Sequence, residues 1–209
     1  MTKGNVIRYM VTSLRRNPAS TLQRSNGSKA EPAFTIIELV LVVGIITVLT
    51  GLILSTVGYA RKKAALARAE TEIAAMSAAC ENYKADNGAY PTNSDTQTLD
   101  PTNELDPTVN PPNDYTRASL WLYKQLSGDA TGSRQLSAKS YMTFKPNMLL
   151  PPPPSTATVT AIADPFGNSY GYSTKMAVTG GGGYNPTFDL WSTASGTTSN
   201  DLPKWIKNW

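Results

Sequence analysis

The chain has 209 residues, 40% of them hydrophobic and 16% charged, with no histidine, one cysteine and a formal net charge of +4. The missing histidine excludes a Ser-His-Asp triad, histidine acid–base catalysis and histidine metal sites, and a lone Cys80 excludes an internal disulfide. Residues 1–33 hold six of the 19 basic and one of the 15 acidic residues, which leaves 13 and 14 for the remainder, so the body of the protein has no electrostatic case for nucleic acid.

Residues 1–33 are polar and carry Lys3, Arg8, Arg15, Arg16, Arg24 and Lys29 against Glu31. A basic segment of this kind stays cytoplasmic when an apolar segment after it inserts. Arg61, Lys62, Lys63 and Arg68 beyond the apolar segment narrow that bias to six against four. Met10 is a second possible start. Between Leu39 and Ala60 there is no charge for 22 residues. At ~1.5 Å per residue such a helix reaches about 33 Å, enough for a hydrocarbon core of roughly 30 Å. It exceeds the roughly 7–15 apolar residues of a secretory signal. Gly44, Gly51 and Gly58 are seven apart and share a face. They make either a close-packing seam between helices or ordinary membrane-helix glycines.

Glu38 stands just ahead of this run, in Ala33-Phe34-Thr35-Ile36-Ile37-Glu38-Leu39. A carboxylate inside a membrane helix costs about 2.5–3.5 kcal/mol at the centre on insertion scales, and is a functional hypothesis by default. Its natural partner is a cation at the same depth, and a cut before Phe34 would create one, a new α-amino group. The plainer alternative is an interfacial charge that snorkels at the end of an anchor.

Beyond the span, Leu66, Ala69, Ile73, Met76, Cys80, Tyr83 and Asn87 follow steps of three and four and draw one helical stripe. Glu70, Ser77, Glu81 and Lys84 lie off it. Cys80 on the stripe reads as packing. Asn87-Gly88 is a stop, with Pro91 just beyond it. One helix from Phe34 to Asn87 is expected, its 34–60 half crossing the membrane and its 61–90 half amphipathic and lying on a head of residues 91–209. The fold class is α+β: a long N-terminal helix packed on a small head with a short antiparallel sheet.

In the head, residues 91–114 are rich in Pro, Asn, Thr and Asp and read as a loop. Ala118 to Leu126 is a short helix ended by Gly128. Tyr141 to Leu150 reads as an ordered loop and Pro151 to Pro154 as extended polyproline II. Asp164 to Asn168 is a turn. Ser169 to Thr174 and Thr187 to Ser192 are candidate strands, joined loosely through Gly180–Gly183. That glycine run lacks a following Lys-Ser or Lys-Thr and is no phosphate loop. Trp191, Trp205 and Trp209 belong to a core or a subunit contact rather than an open platform. The head's core is modest and leans on the long helix.

The string from Ala33 to Leu39 resembles the cleavage and methylation signature of type IV pilins and type II secretion pseudopilins. The resemblance implies that a prepilin peptidase cuts between Ala33 and Phe34 on the cytoplasmic side and methylates the Phe34 amine, and that the span stays in the product. It also implies that Glu38 pairs with the Phe34 amine of a neighbouring subunit. The family has Gly before the cut where this chain has Ala33. The stretch Cys80 to Thr92, with Tyr83, Asn87-Gly88 and Tyr90-Pro91, is similar to the end of the family's long helix. Asp164-Pro165-Phe166-Gly167-Asn168-Ser169-Tyr170-Gly171-Tyr172 resembles the Asp-Pro-Trp-Gly-Asn-Pro-Tyr-x-Tyr element of the major, G-type pseudopilin. Phe188 to Ser192 resembles the strand after it, and Ile206-Lys207-Asn208-Trp209 the terminal Ile-x-Asn-Trp. Residues 92–160 have no such likeness and read as an insertion.

That family carries calcium in the loop before its C-terminus, which here would draw on Ser195, Asn200 and Asp201. Ser195 stands where the family has an acid, and Asp201 is the loop's one carboxylate. Calcium takes about six to eight oxygens, so the residues favour a calcium-free loop closed by Ser and Thr hydrogen bonds over a bound ion. The resemblance implies a non-enzymatic subunit of a helical homopolymer in the bacterial inner membrane, N-terminus cytoplasmic and head periplasmic. Its partners would be minor pseudopilins or pilins, the prepilin peptidase and an inner-membrane assembly platform. A type IV pilin for adhesion, motility or DNA uptake is the nearest alternative, and a membrane-anchored binding module the more distant one.

Overall fold

The computed structural model describes residues 34–209. These fall into two compact units, one ending at Val48 and the other running from Leu49 to Trp209. The chain is α+β: a long helix, α1 (Ile36–Asn87, 52 residues), precedes a small region of short helices and antiparallel strands. Alpha1 begins two residues after Phe34 and stops where the Asn-Gly pair predicts. Gly88 takes φ +79° and its N–H donates to Lys84 O at 2.8 Å, the left-handed exit that a residue without Cβ adopts at least cost.

In the first unit the helix buries nothing. Ile37, Leu41, Val43 and Ile46 are more than half exposed, and so are Leu52 and Leu54 just beyond it. Among the described residues, α1 is the one helix long and apolar enough to cross a membrane. In the second unit the predicted stripe is the buried face. Ala69, Ile73, Met76 and Cys80 are covered, Leu66 and Tyr83 partly so, while Asn87 at the far end is exposed. Ala79 and Glu72 join the buried set. This face packs with Leu122, Leu126, Phe144, Ile162, Tyr170, Tyr172 and Leu190 into the main core.

The stretch 91–114, read as a loop, contains α2 (Ser94–Thr98), where Asn93 accepts from Thr96 N at 3.0 Å and Thr96 Oγ1 accepts from Asn93 N at 3.0 Å, a reciprocal cap. Helix α3 (Asp114–Ser127) starts four residues earlier than the apolar pattern suggests, because Asn113 caps it through Thr116 N at 3.0 Å. Its buried positions Tyr115, Ala118, Leu122 and Leu126 keep helical spacing. Gly128 ends it at φ +78°, where a Cβ would meet Ala138 O at 2.5 Å.

Tyr141 to Leu150 is more regular than an ordered loop: a 3-10 turn (Pro146–Met148) leads into β1 (Leu149–Leu150), which pairs antiparallel with β2 (Ala161–Ile162). The Pro151–Pro154 run bends and turns, with Ser155 N donating to Pro152 O at 3.2 Å, rather than continuing as polyproline II. A second sheet has the order β3 (Gly171–Ser173), β4 (Asp189–Ser192), β5 (Ile206–Lys207), all antiparallel. The two predicted strands are its first pair, and β5 adds a third. A short helix, α4 (Lys175–Thr179), lies in the connection ahead of the glycine run.

A second, aromatic core holds Leu99, Tyr115, Ala118, Trp191 and Trp205. The Trp191 and Trp205 rings stack at 6.0 Å, and Trp209 meets Trp191 edge-on at 5.9 Å. Trp191 Nε1 donates to Tyr115 Oη at 3.2 Å, and that hydroxyl donates to Glu104 O at 2.6 Å.

Asp129, fully buried, organises the loop after α3. Its carboxylate accepts from Gly132 N at 2.8 Å, Arg134 N at 2.6 Å and the Tyr123 hydroxyl at 3.0 Å. Burial pushes this carboxyl up, but the Arg134 N–H, the Tyr123 hydroxyl and the other donors outweigh it and hold it below its ordinary value. Asp100 behaves alike: burial raises it, and Thr102 and Lys175 overcome that. A depressed carboxyl stabilises the fold fully above its unfolded pKa of about 3.9, and this contribution fades as pH falls through the folded value. The urea midpoint of the purified chain is therefore expected to fall steadily once pH drops below about 4. Asp129→Asn should flatten that fall and cost roughly 1.5–3 kcal/mol near neutrality.

Candidate assembly site

Helix α1 starts on a reciprocal cap. Thr35 N and Thr35 Oγ1 each donate to Glu38 Oε2 at 2.9 Å, and Glu38 N donates to Thr35 Oγ1 at 3.3 Å. This is the Ser/Thr-x-x-Glu capping box, which satisfies two of the free N–H groups of a first turn. The spacing Thr35-Ile36-Ile37-Glu38 is readable in the sequence, and reading Glu38 for its charge alone passes over it. The carboxylate thus has two properties at once, a local one as a cap and a charge at the head of an apolar run. Phe34 precedes the helix and is 84% exposed. Ala33, the other half of the expected cut, lies outside the described residues. Among the described residues, nothing comes within 4 Å of where a Cβ would sit at Gly44, Gly51 and Gly58. No described residue covers the face they share.

The Tyr170-Gly171-Tyr172 element is explained by strand alternation, which sends residues two apart to the same side. Tyr170 Oη donates to Glu72 Oε2 at 2.8 Å on α1, and Tyr172 Oη donates to Pro91 O at 2.8 Å just past its end. Gly171 pairs with Trp191 across the sheet, and a Cβ on it would fall inside the indole ring. Two tyrosines therefore fasten the sheet to the helix while the glycine admits the tryptophan behind.

Glu72 completes the junction. Arg68 Nε donates to its other oxygen at 2.6 Å. The apolar stripe gives no sign of Glu72, because an acid beside Ile73 reads as solvent-facing, and its partner comes from residue 170. Tyr170→Phe removes one hydrogen bond to a buried carboxylate and should destabilise the head by about 1.5–3 kcal/mol, read as a lower urea midpoint at unchanged secondary structure.

Asp164 fixes the turn before this strand. Its Oδ1 accepts from Phe166 N at 3.0 Å and Asn168 N at 2.8 Å, and its Oδ2 accepts from Ser192 Oγ at 2.6 Å on β4. Burial pushes this carboxyl up, against the Ser192 hydroxyl and the turn's N–H groups. Asp189 likewise serves structure, accepting from Tyr184 N at 2.9 Å and Asn185 N at 2.8 Å. Cys80 is buried, and burial pushes its thiol up, so it is an inert packing group.

The loop after β4 closes on its own side chains. Thr198 Oγ1 donates to Asp201 Oδ2 at 2.7 Å, Lys204 Nζ donates to Asp201 Oδ1 at 2.8 Å, and Gly196 N donates to Thr193 O at 2.7 Å. The Lys204 ammonium, then the Thr198 hydroxyl, hold the Asp201 carboxyl down to about 2. Calcium at Asp201 would have to displace that ammonium. Among the described residues no three His, Cys, Asp or Glu side chains gather into a metal-ligating group. The Ser195, Asn200 and Asp201 set does not fit a cation that wants several carboxylate oxygens.

Comparison with known proteins adds no relative: no protein-family model, no curated protein and no solved structure matches the chain.

Proposed function

We propose that this chain is a structural subunit of a helical, pilus-like filament, the major pseudopilin of a type II protein secretion system. The observation that carries the reading is α1, which exposes apolar side chains from Ile36 to Leu54 and buries Ala69 to Cys80 in the head. An apolar helix that no other described residue covers calls for lipid, or copies of itself, to cover it. The Ala33-Phe34 string and Glu38 support a route from one to the other. A peptidase cut frees the Phe34 amine, the span holds the subunit in the inner membrane, and Glu38 of an incoming subunit pairs with a neighbour's amine. That contact joins two different patches, so it propagates into a fibre rather than closing. The head, on the periplasmic side, forms the outer shell, and minor subunits and an inner-membrane platform are its partners. The role is structural, not catalytic.

Two measurements test this. Intact mass of the membrane-extracted protein should show residues 1–33 removed and Phe34 methylated, and a product retaining the leader refutes processing. Deleting the gene should remove secreted enzymes from the medium while surface fibres persist. Loss of fibres with secretion intact would assign a type IV pilus instead.

A further inference from the structure

We infer that the groove where α1 leaves the membrane holds the headgroup of an anionic phospholipid. The inference rests on the membrane-spanning reading of α1 and adds a ligand to it. Arg61 and Lys62 are the first charges after the uncharged run that ends at Ala60. At ~1.5 Å per residue they lie within about 3 Å of its end along the helix axis, the depth of lipid phosphates. Together with Pro165, Phe166, Ala194 and Ser195 they line a groove of about 400 Å³. Ala65 adds a small side chain to the lining, and no carboxylate is among the lining residues.

These two cations, like Lys63, Lys124, Lys145 and Lys207, form no ion pair among the described residues; what sets them apart is that they line this groove. Arg68, Arg117, Lys139, Lys175 and Lys204 each sit against a carboxylate. Arg61 and Lys62 are exposed and have no hydrogen-bond or ion-pair partner among the described residues. Two unpaired cations at headgroup depth, beside an apolar wall made by Pro165 and Phe166, match a molecule with a phosphate at one end and a glycerol and acyl chains next to it. The Ser195 hydroxyl on the opposite rim is exposed and supplies a donor. Such a lipid would tie the 165–166 turn and the 194–195 loop to the membrane surface, and would have to be left behind when a subunit moves into a filament.

The test uses the full chain purified in detergent, given phosphatidylglycerol, phosphatidylcholine or inorganic phosphate, with bound lipid counted by native mass spectrometry. Phosphatidylglycerol should be retained roughly tenfold over phosphatidylcholine, in line with a few-fold gain per surface cation. Arg61→Gln combined with Lys62→Gln should bring it down to the phosphatidylcholine level, Phe166→Ala should lower retention of the lipid, and Lys145→Gln, an exposed cation elsewhere on the head, should change nothing. Equal retention of the two lipids, or full retention by the double variant, overturns the assignment. Displacement of the lipid by millimolar inorganic phosphate also overturns it, in favour of a soluble anion. Carbonate extraction of native membranes separates the two layers: a chain that carbonate strips fails as a membrane protein altogether, whereas one that stays put without lipid preference fails only at the groove.

Discussion

Glu38→Gln is expected to leave the first turn of α1 closed and, in the proposed filament, to stop assembly. A glutamine at this position keeps a side-chain oxygen for the Thr35 N–H, as the capping box allows, so the local bonds at 2.9 Å have a substitute. What disappears is the charge. In the proposed filament that charge meets the amine of a neighbouring Phe34 in a medium of low dielectric, where an unpaired amine is costly. Thr35→Ala makes the opposite cut. It removes the cap hydroxyl, frays the helix start by about 0.5–2 kcal/mol and leaves the charge, so fibres should still form. Fibre length and yield by electron microscopy, with crosslinking between subunits, read the difference. If the glutamine variant assembles like the parent, Glu38 is a helix cap and nothing more, and the account of axial register fails.

The second large effect is in the head. Trp191→Ala should cost about 3–5 kcal/mol, the usual range for deleting a buried aromatic. Trp191 is fully buried, stacks on Trp205 and donates to Tyr115, so its removal empties the centre of the aromatic core. Gly171→Ala attacks the same spot from the other side. Its methyl would enter the indole ring, and overpacking of this kind costs roughly 1–3 kcal/mol. The two changes should not add. With the indole gone, the methyl has room, and Gly171→Ala should become nearly neutral in the Trp191→Ala background. A double-mutant cycle on urea midpoints measures that coupling. Equal cost in both backgrounds would show that the indole is not what demands glycine.

The long helix was legible because both of its halves leave strong marks. The run from Leu39 to Ala60 carries no charge, and Ala69, Ile73, Met76 and Cys80 keep helical spacing onto a packed face. The sheets were only half legible. Strands of two to four residues are too short to show a period, and next to β5, which pairs through Ile206 and Lys207, the Asn208 Oδ1 accepts from Leu190 N at 2.9 Å, a bond no local pattern announces. The start of α3 was hidden because Asn113, its cap, sits in a Pro- and Asn-rich stretch that reads equally well as loop. At the candidate sites, Glu72 was invisible because its meaning lies 98 residues away at Tyr170. At Asp201 the sequence favours a calcium-free loop but leaves calcium open, and Lys204, three residues on, is the ion-pair partner.

The spacing between Glu72 and Tyr170 has a consequence for how the protein is made. Alpha1 emerges first, and its apolar face from Ile73 to Cys80 has to wait for the strand that covers it. With 98 residues between the two ends of that bond and synthesis at roughly 5–20 residues per second, the wait is about 5–20 s. For that interval each nascent chain carries a bare sticky surface in addition to the exposed apolar half of α1, and neighbouring chains on the same message carry it too. A holding partner during synthesis would relieve that exposure, and the need for one should rise with the rate of expression rather than with the amount of finished protein.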